Sequence, residues 1–379
     1  MTAGVQVYKS TDAGAANAAN VAGSRITNVF DPCLVNGYNT ISVTSITRSG
    51  TTVTVTCAAA HGFLVADGFA IAEIMGAVQG DYNGVWKITP TSTTVFTYQI
   101  GTTPTTPATG TITVKRAGAG WTKVYTGTNL AAYLSPDGKC YLRVDDTQLL
   151  GARLRLYRTM SDVNTGTDIT PTVAVLANGV TWNFNASVPW VLTSKGNFVN
   201  AWCALEASAG SPNGQKLQFG LLANLRSSGV DDYAYYISAA ITTGFRAESS
   251  LLFAANFASS NGAYIMRSYT AASGAVLGNP LTVKGSTARM GIGGTGAPNV
   301  PDSISGKSLY DRTDIAEGPV ASVRGEAPGV WIPMGDWVTP YATFDTFSGQ
   351  GSHANRRFMI LKLYNLCAVL FEISDTWDL

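Results

Sequence analysis

The chain has 379 residues, of which 45% are hydrophobic and only 13% charged, and its formal net charge is +1. This balance argues against a nucleic-acid-binding protein, because phosphate binding needs clustered Lys and Arg. No run of about 18 apolar residues is present to form a membrane-spanning helix. Globular proteins carry about 25% charged residues. The low charge therefore indicates either surface hidden in an assembly or an ordinary β protein with a surface of Thr, Ser and Asn.

The amino-terminal region, residues 1–38, begins with a short apolar alternation at residues 5–8 that predicts a strand. Residues 25–30 have an apolar pattern typical of one or two helical turns. Asp31-Pro32 follows, and because proline disfavours helical geometry in the residue before it, we expect the helix to end there. The start of the chain lacks the apolar segment of a secretory signal peptide.

The clearest β pattern lies in residues 39–115. Residues 41–46 and 52–57 alternate on either side of Ser49-Gly50, which predicts a β-hairpin. Further strands are predicted at residues 69–74, 82–88, 95–100 and 110–114. Six short strands separated by frequent turns indicate a small β-sandwich or barrel.

The rest of the chain reads mainly as sheet. Strands are predicted at residues 131–134, 139–144, 152–157, 190–192, 198–205, 220–222, 231–237, 324–325, 329–333, 358–363 and 368–373, with a hairpin turn at Pro136-Asp137-Gly138. Between them, residues 241–330 are rich in small residues and are expected to be irregular, with a mobile loop at residues 291–296. The predicted fold class is mainly β: antiparallel sandwich or barrel-like domains, a small inserted β module and long irregular loops. No internal repeat is present, which argues against a fibre shaft.

The small module resembles one that is inserted in tail and other virion proteins of tailed bacteriophages. The likeness rests on the hairpin followed by AHGF (residues 60–63), YNGVW (82–86), VFTYQI (95–100) and ATGTI (108–112). The resemblance implies that the His-Gly step lies on a turn. It also implies that four aromatic residues fill the core of the module: Tyr82, Trp86, Phe96 and Tyr98.

The flanking sequence resembles a group of phage virion structural proteins. The matching segments are VQVYKSTDAGA (residues 5–15), CLVNGY (33–38), AGWTK (119–123), YTGTN (125–129), YLRVDDT (141–147) and YRTMSDVNTG (157–166). In that group the amino-terminal segment, which here ends with CLVNGY at residue 38, can be followed almost directly by the Gly-Trp-Thr segment, here residues 120–122. The resemblance therefore implies a core domain of residues 1–38 and 116–240 with residues 39–115 inserted, followed by a carboxy-terminal region of residues 241–379.

Few residues are candidates for chemistry. The chain has two histidines: His61 is expected to be structural in its turn, and His353 is expected to be solvated in a Gly/Ser-rich loop. The glycines of residues 291–296 lack the strand and helix of a phosphate cradle. Two acidic pairs, Asp145-Asp146 and Asp231-Asp232, are the best candidates for a glycosidase, whose carboxylates lie about 5–10 Å apart. Adjacent residues of a strand point to opposite faces, however, so salt links are the favoured interpretation, with a Ca²⁺ site as a further alternative.

The tryptophans, one arginine pair and the cysteines are the remaining candidates for a binding or a structural role. Seven tryptophans are candidates either for a sugar-binding face or for core and interface, which is the favoured interpretation: Trp121, Trp182, Trp190, Trp202, Trp331, Trp337 and Trp377. The basic pair Arg356-Arg357 is expected on a solvated strand edge. The five cysteines contain no CxxC pair and are predicted to be buried free thiols: Cys33, Cys57, Cys140, Cys203 and Cys367.

These observations favour a non-enzymatic virion structural protein, located in the virion and assembled in the cytoplasm of the bacterial host. It would self-associate as a homo-oligomer and dock onto other phage virion proteins of the tail, baseplate or head, with the small module as an outward decoration. We expect no catalytic, cofactor or metal site, no nucleic acid and no membrane as partner. The alternatives are a receptor- or carbohydrate-binding tail protein that contacts a host surface glycan, and a polysaccharide-degrading tail enzyme.

Overall fold

The structure, a computed structural model, describes residues 4–183, 188–204, 214–223, 231–239, 262–268, 276–281, 310–317, 322–333, 341–349, 353–362, 368–375 and 377. These residues form a mainly β protein built from antiparallel sheets and a closed barrel, which confirms the predicted fold class. Within these ranges, no helix combines the length and the apolar character needed to cross a membrane.

The amino-terminal region contains strand β1 (Gln6–Lys9) and a π-helix (Ile26–Asn36). The apolar face of this helix is buried in the main core through Ile26, Val29, Phe30, Cys33 and Leu34. The expectation that the helix ends at Asp31-Pro32 is wrong, because the helix continues four residues beyond the proline, to Asn36.

Tertiary contacts explain why the helix passes through Pro32. The Gly37 N–H donates to the Pro32 carbonyl five residues earlier, at 2.9 Å, which is the wide π spacing. The carbonyls of Cys33 and Leu34 accept hydrogen bonds from the backbone of residues 119 and 121 at 2.9 and 3.0 Å. These long-range bonds stabilise the last turn, which a local rule for proline does not take into account.

Residues 38–116 form a closed six-stranded barrel with strand order β2-β3-β6-β5-β4-β7. Its strands are β2 (Tyr38–Ser49), β3 (Thr52–Cys57), β4 (Ala70–Ala77), β5 (Gly84–Pro90), β6 (Val95–Gln99) and β7 (Gly110–Arg116), with short 3₁₀ turns at Val65–Asp67 and Gly80–Tyr82. The predicted hairpin is confirmed, since Ser49 pairs with Thr52 across the turn. The four predicted core aromatics are buried inside the barrel, where the rings of Trp86 and Tyr98 stack at 4.9 Å.

The first and last strands of the barrel are neighbours. Tyr38, at the start of β2, pairs directly with Arg116, at the end of β7. The chain therefore enters and leaves the barrel at adjacent positions.

A five-stranded antiparallel sheet follows the barrel, with strand order β14-β11-β10-β9-β8. Its strands are β8 (Thr122–Gly127), β9 (Leu130–Leu134), β10 (Tyr141–Asp145), β11 (Gly151–Tyr157) and β14 (Val180–Asn183), and β12 (Thr159–Met160) pairs with β13 (Gly166–Thr167) as a separate short ladder. The predicted hairpin at residues 136–138 joins β9 to β10, with Tyr141 opposite Leu134.

Twelve of the described strands form one large antiparallel sheet, in the order β1-β15-β16-β17-β18-β19-β20-β21-β22-β25-β24-β23. Its strands after β1 are β15 (Trp190–Lys195), β16 (Phe198–Ala204), β17 (Gly214–Leu221), β18 (Tyr235–Ala239), β19 (Gly262–Ile265), β20 (Val276–Leu281), β21 (Tyr310–Glu317), β22 (Ser322–Pro333), β23 (Thr346–Ser348), β24 (Arg357–Lys362) and β25 (Ala368–Glu372).

The main core lies between the five-stranded sheet and strands β15–β18 of the large sheet. Trp121, just before β8, meets Phe219 of β17 edge to face at 5.5 Å. The other side of β16 is also covered, because the Asn200 amide donates to Pro328 O at 2.8 Å and the Trp202 indole donates to Lys362 O at 3.0 Å. Every residue of β16–β18 except Leu221 is buried, so these strands are covered on both faces.

The region of residues 241–330, expected to be irregular, contains strands β19 to β21 and most of β22, so that expectation is wrong for the described part. β19 pairs with β18, with Tyr236 opposite Ile265, so the expected boundary at residue 240 falls between two paired strands. Small residues conceal the alternation in this region, and the pairing partner supplies the strand geometry instead. The glycine-rich stretch at residues 291–296 lies outside the described residues.

Replacing Gly220 of β17 by alanine should lower the free energy of unfolding by more than about 2 kcal/mol. Gly220 has a φ of +130°, and an added Cβ would lie 1.9 Å from the carbonyl oxygen of Asn197. Two control variants separate the steric clash of the added Cβ from the cost of a positive φ. Gly196→Ala meets open space at a φ of +56° and should cost about 1 kcal/mol, whereas Gly101→Ala, in open space with ordinary φ, should be neutral. Thermal unfolding of the three variants tests this order, and equal values for Gly220 and Gly101 would contradict it.

Candidate functional site

Asp146, the second residue of the first acidic pair, is buried against Arg25. The Arg25 Nε lies 2.7 Å from the Asp146 carboxylate, and both side chains are 0% exposed. The other carboxylate oxygen accepts the backbone N–H groups of Arg25 at 2.8 Å and Ile26 at 3.3 Å, at the start of the π-helix. The remaining Arg25 donors reach carbonyls such as Leu149 O, at 2.7 Å. Asp146 therefore anchors the helix to the five-stranded sheet.

The neighbouring Asp145 faces away from this pair. Its carboxylate lies 3.5 Å from Arg143 and accepts the Thr147 hydroxyl at 2.7 Å. Burial raises the pKa of Asp146 to about 6, a rise that the Arg25 guanidinium opposes. The two carboxylates do not converge on a common point, as the alternation of a strand predicts, so the pair lacks the facing geometry of a glycosidase.

The second acidic pair is likewise divided between different cations. Asp231 binds the Arg324 guanidinium at 2.7 Å. Asp232 binds Lys139 at 2.6 Å and lies 3.9 Å from Arg158. These contacts are the salt links that the sequence analysis favours.

These salt links belong to a larger group that we call the charged cluster, centred on Tyr233. The guanidinium groups of Arg158 and Arg267 lie 5.6 and 4.5 Å from the Tyr233 ring centroid. Arg267 also binds Asp168 at 2.7 Å. The charged cluster contains Lys139, Arg158, Asp168, Asp231, Asp232, Tyr233, Arg267 and Arg324.

The charged cluster ties the five-stranded sheet and its short ladder to the large sheet. Sequence reasoning did not identify Arg267, Arg324 or Asp168 as members, because they are far from the acidic pair along the chain and no local pattern marks them. Arg25 was not identified as the partner of Asp146 for the same reason.

His61 is buried in the barrel, as its predicted structural role requires. Its Nδ1 accepts the Phe63 N–H at 3.1 Å, and its ring meets the Phe96 ring at 5.6 Å. His353 differs from the expectation, because it is only partly exposed and its ring packs on Trp331 with centroids 5.0 Å apart. The two histidines lie in separate hydrophobic environments and do not form one site.

The basic pair at residues 356 and 357 also departs from the prediction of a solvated strand edge. Arg356 is buried, binds Glu372 at 2.9 Å, and lies over the Trp331 ring at 5.0 Å. Arg357 is partly exposed and donates to Ala66 O at 3.0 Å. Both arginines therefore make structural contacts.

The described tryptophans of the candidate set are buried, which confirms the core interpretation for them. Each is at most 2% exposed: Trp121, Trp182, Trp190, Trp202, Trp331 and Trp377. Trp337 lies outside the described residues. These six rings therefore form no exposed platform for a sugar.

The cysteines agree with the prediction where the structure describes them. Cys33, Cys57, Cys140 and Cys203 are buried and free, and Cys367 lies outside the described residues. Burial raises the pKa of the Cys57 thiol to about 11. In the described ranges, no group of three or more His, Cys, Asp or Glu residues is arranged to hold a metal ion.

A small cleft lies where the barrel meets β1 and the carboxy-terminal strands. Lys9 and Asp67 form an ion pair at 3.6 Å on its wall, and Ile71, Arg357 and Met359 also line it. The contacts across this cleft dock the barrel onto the packed sheets.

Comparison with known proteins finds no family model that matches this chain and no curated protein that matches it.

Proposed function

We propose that the protein is a non-enzymatic structural component of a tailed-phage particle, acting by self-association and by docking onto the tail, baseplate or head. The observation that carries the proposal is that the candidate catalytic and sugar-binding residues make structural contacts within the fold. Both acidic pairs are divided among structural ion pairs, and the six described tryptophans of the candidate set are buried. The groups that would support an enzyme or a sugar platform are thus engaged in holding the fold.

Sheet edges and exposed apolar side chains support the assembly part of the proposal. β8 is an outer strand of the five-stranded sheet and is partly exposed along its length, and an edge strand presents backbone groups that another chain can pair with. Large apolar side chains are exposed on several loops and strands: Val21, Leu64, Val65, Val78, Val85, Leu149, Val173, Val175 and Tyr341. Only 13% of residues are charged, so burial of surface between subunits would desolvate few charges.

The barrel suits the decoration role in this proposal. It is closed and therefore has no free edge of its own. Because its first and last strands are adjacent, it can project from the core without interrupting the other sheets.

Two measurements test the proposal. Mass spectrometry of purified phage particles is expected to detect this chain in fixed proportion to known structural proteins, and its absence would refute the virion assignment. Sedimentation velocity of the isolated protein is expected to show one discrete oligomer, since closed symmetric assembly is the rule for such components. A monomer at all concentrations would contradict self-association.

A separate binding measurement bears on the carbohydrate-binding alternative. With the described tryptophans buried, we expect no saturable binding of the protein to polysaccharide extracted from the host surface. Saturable binding would move the assignment to a receptor-binding tail protein.

A further inference from the structure

The environment of His61 favours its neutral form. The ring is 2% exposed, and it lies between Phe63 and Phe96 with centroids 5.2 and 5.6 Å away. Nδ1 accepts the Phe63 backbone N–H at 3.1 Å, so this nitrogen carries no proton. The single proton is then on Nε2, which lies 3.4 Å from Val95 O.

The residues around His61 join the barrel to the rest of the protein. We call residues 58–69, between β3 and β4, the junction segment. Within it, Asp67 pairs with Lys9 at 3.6 Å, and Ala66 O accepts a hydrogen bond from Arg357 at 3.0 Å. Both partners lie outside the barrel, one in β1 and the other in β24.

Close packing adds to these contacts. A Cβ at Gly62 would lie 2.8 Å from the Ala13 side chain, so this part of the junction segment touches the amino-terminal region directly. The His61 carbonyl accepts the Asn39 amide at 3.0 Å, and the His61 N–H donates to Thr93 O at 2.9 Å. These backbone bonds, together with the bond from the Phe63 N–H to His61 Nδ1, therefore fix the path of the segment that contacts the core.

A second proton on His61 would place an N–H group opposite the Phe63 N–H. The hydrogen bond would be replaced by two facing donors, and a positive charge would be buried among aromatic rings. The charged groups on neighbouring elements do not neutralise the positive charge that a second proton would place on the His61 ring. The Arg116 guanidinium lies 5.2 Å from the Phe63 ring centroid and adds like charge, and its partner Asp12, at 3.4 Å, already binds it.

The other charged pair near the segment is Lys9 with Asp67, and Asp67 is the last residue of the 3₁₀ turn at Val65–Asp67, six residues after His61. Among the described contacts, no carboxylate bonds to the His61 ring. Burial lowers the pKa of His61. Since the folded state favours the neutral ring, this contribution to stability is full above the ordinary value of about 6.5 and is lost as the pH falls below it.

We propose that His61 is an acid-sensitive latch: uptake of a second proton by its ring releases the junction segment and loosens the docking of the barrel onto the packed sheets. This inference goes beyond the structural role proposed above and does not depend on where in a particle the protein assembles.

Hydrogen exchange followed by mass spectrometry tests the latch on the full-length protein. Exchange is measured at about pH 7.5 and about pH 5.5, with the labelling times matched to the intrinsic rate. Amides of residues 58–69 are expected to lose protection at the lower pH, because protonation of the His61 ring favours release of the segment. Unchanged protection of the segment would overturn the proposal.

Two variants provide the matched controls. In His61→Asn, an amide oxygen can accept the Phe63 N–H in place of Nδ1 but does not titrate, so the loss of protection should disappear. His353→Asn removes the other histidine and should leave the loss unchanged. The same pH response in His61→Asn as in the natural protein would overturn the proposal.

A direct titration decides the matter if His61→Asn fails to fold. The two histidine ring signals are followed by NMR in the natural protein, with His353→Asn used to assign them. The His61 signal is expected to titrate below about 6.5. Titration at or above that value would overturn the latch.

Discussion

Replacing Asp146 by alanine is expected to destabilise the protein by about 3–5 kcal/mol, because it leaves the Arg25 charge buried without its partner. The pair is fully buried, with Nε and carboxylate 2.7 Å apart. The same substitution removes the acceptor of two backbone N–H groups at the start of the π-helix. Denaturant unfolding followed by circular dichroism measures the loss.

A surface pair provides the matched control for Asp146. Lys87 and Asp375 form an ion pair in which the side chains are 47% and 43% exposed. Asp375→Ala should therefore cost only about 0–1 kcal/mol. The double replacement Arg25→Met with Asp146→Leu should recover part of the lost stability, because it removes both buried charges. If Asp146→Ala cost no more than Asp375→Ala, the anchoring role of the buried pair would be wrong.

Replacing Trp202 by alanine is expected to cost about 3–5 kcal/mol through loss of buried surface and the cavity left behind. Trp202 lies on β16, meets Phe344 edge to face at 5.3 Å, and donates its indole N–H to Lys362 O at 3.0 Å. It therefore connects β16 to the carboxy-terminal strands. Thermal and denaturant unfolding both report the change.

Two further substitutions distinguish the contributions of Trp202. Trp202→Phe keeps most of the apolar volume but loses the hydrogen bond to Lys362 O, so we expect a loss of about 1–3 kcal/mol. Tyr341→Ala, at an exposed aromatic residue, should change stability by less than about 0.5 kcal/mol. A stable Trp202→Ala variant with altered binding to host polysaccharide would instead favour the carbohydrate-binding alternative.

Both predictions concern residues that sequence reasoning could name but could not place. The Asp145-Asp146 pair was identified as a candidate, and the alternation of a strand correctly separated the two side chains. The partner of Asp146, however, lies 121 residues away along the chain. Burial of the pair is a consequence of how the π-helix packs on the five-stranded sheet, and no local pattern contains that information.

The barrel shows how much a local pattern can determine. Alternation with turn residues predicts the β2–β3 hairpin and the strands that follow it. The placement of the four large aromatic residues in the core comes instead from the resemblance to an inserted phage module, and the structure confirms it. Closure of the six strands was not determined, because a sandwich and a barrel share the same alternation. The pairing of β7 with both β2 and β4 decides between them, and this pairing joins residues far apart in the chain.

By itself, the sequence determined the mainly β class, most strand positions outside residues 241–330, and the structural character of His61 and of the described cysteines. It could do so because alternation, turn residues and apolar neighbours act over a few residues. Only the tertiary structure decided that the helix continues through Pro32, that strands β19–β21 extend the large sheet, and that the charged cluster forms around Tyr233. In each case the stabilising contacts come from segments distant in sequence, so their free energy is present only once the sheets have packed.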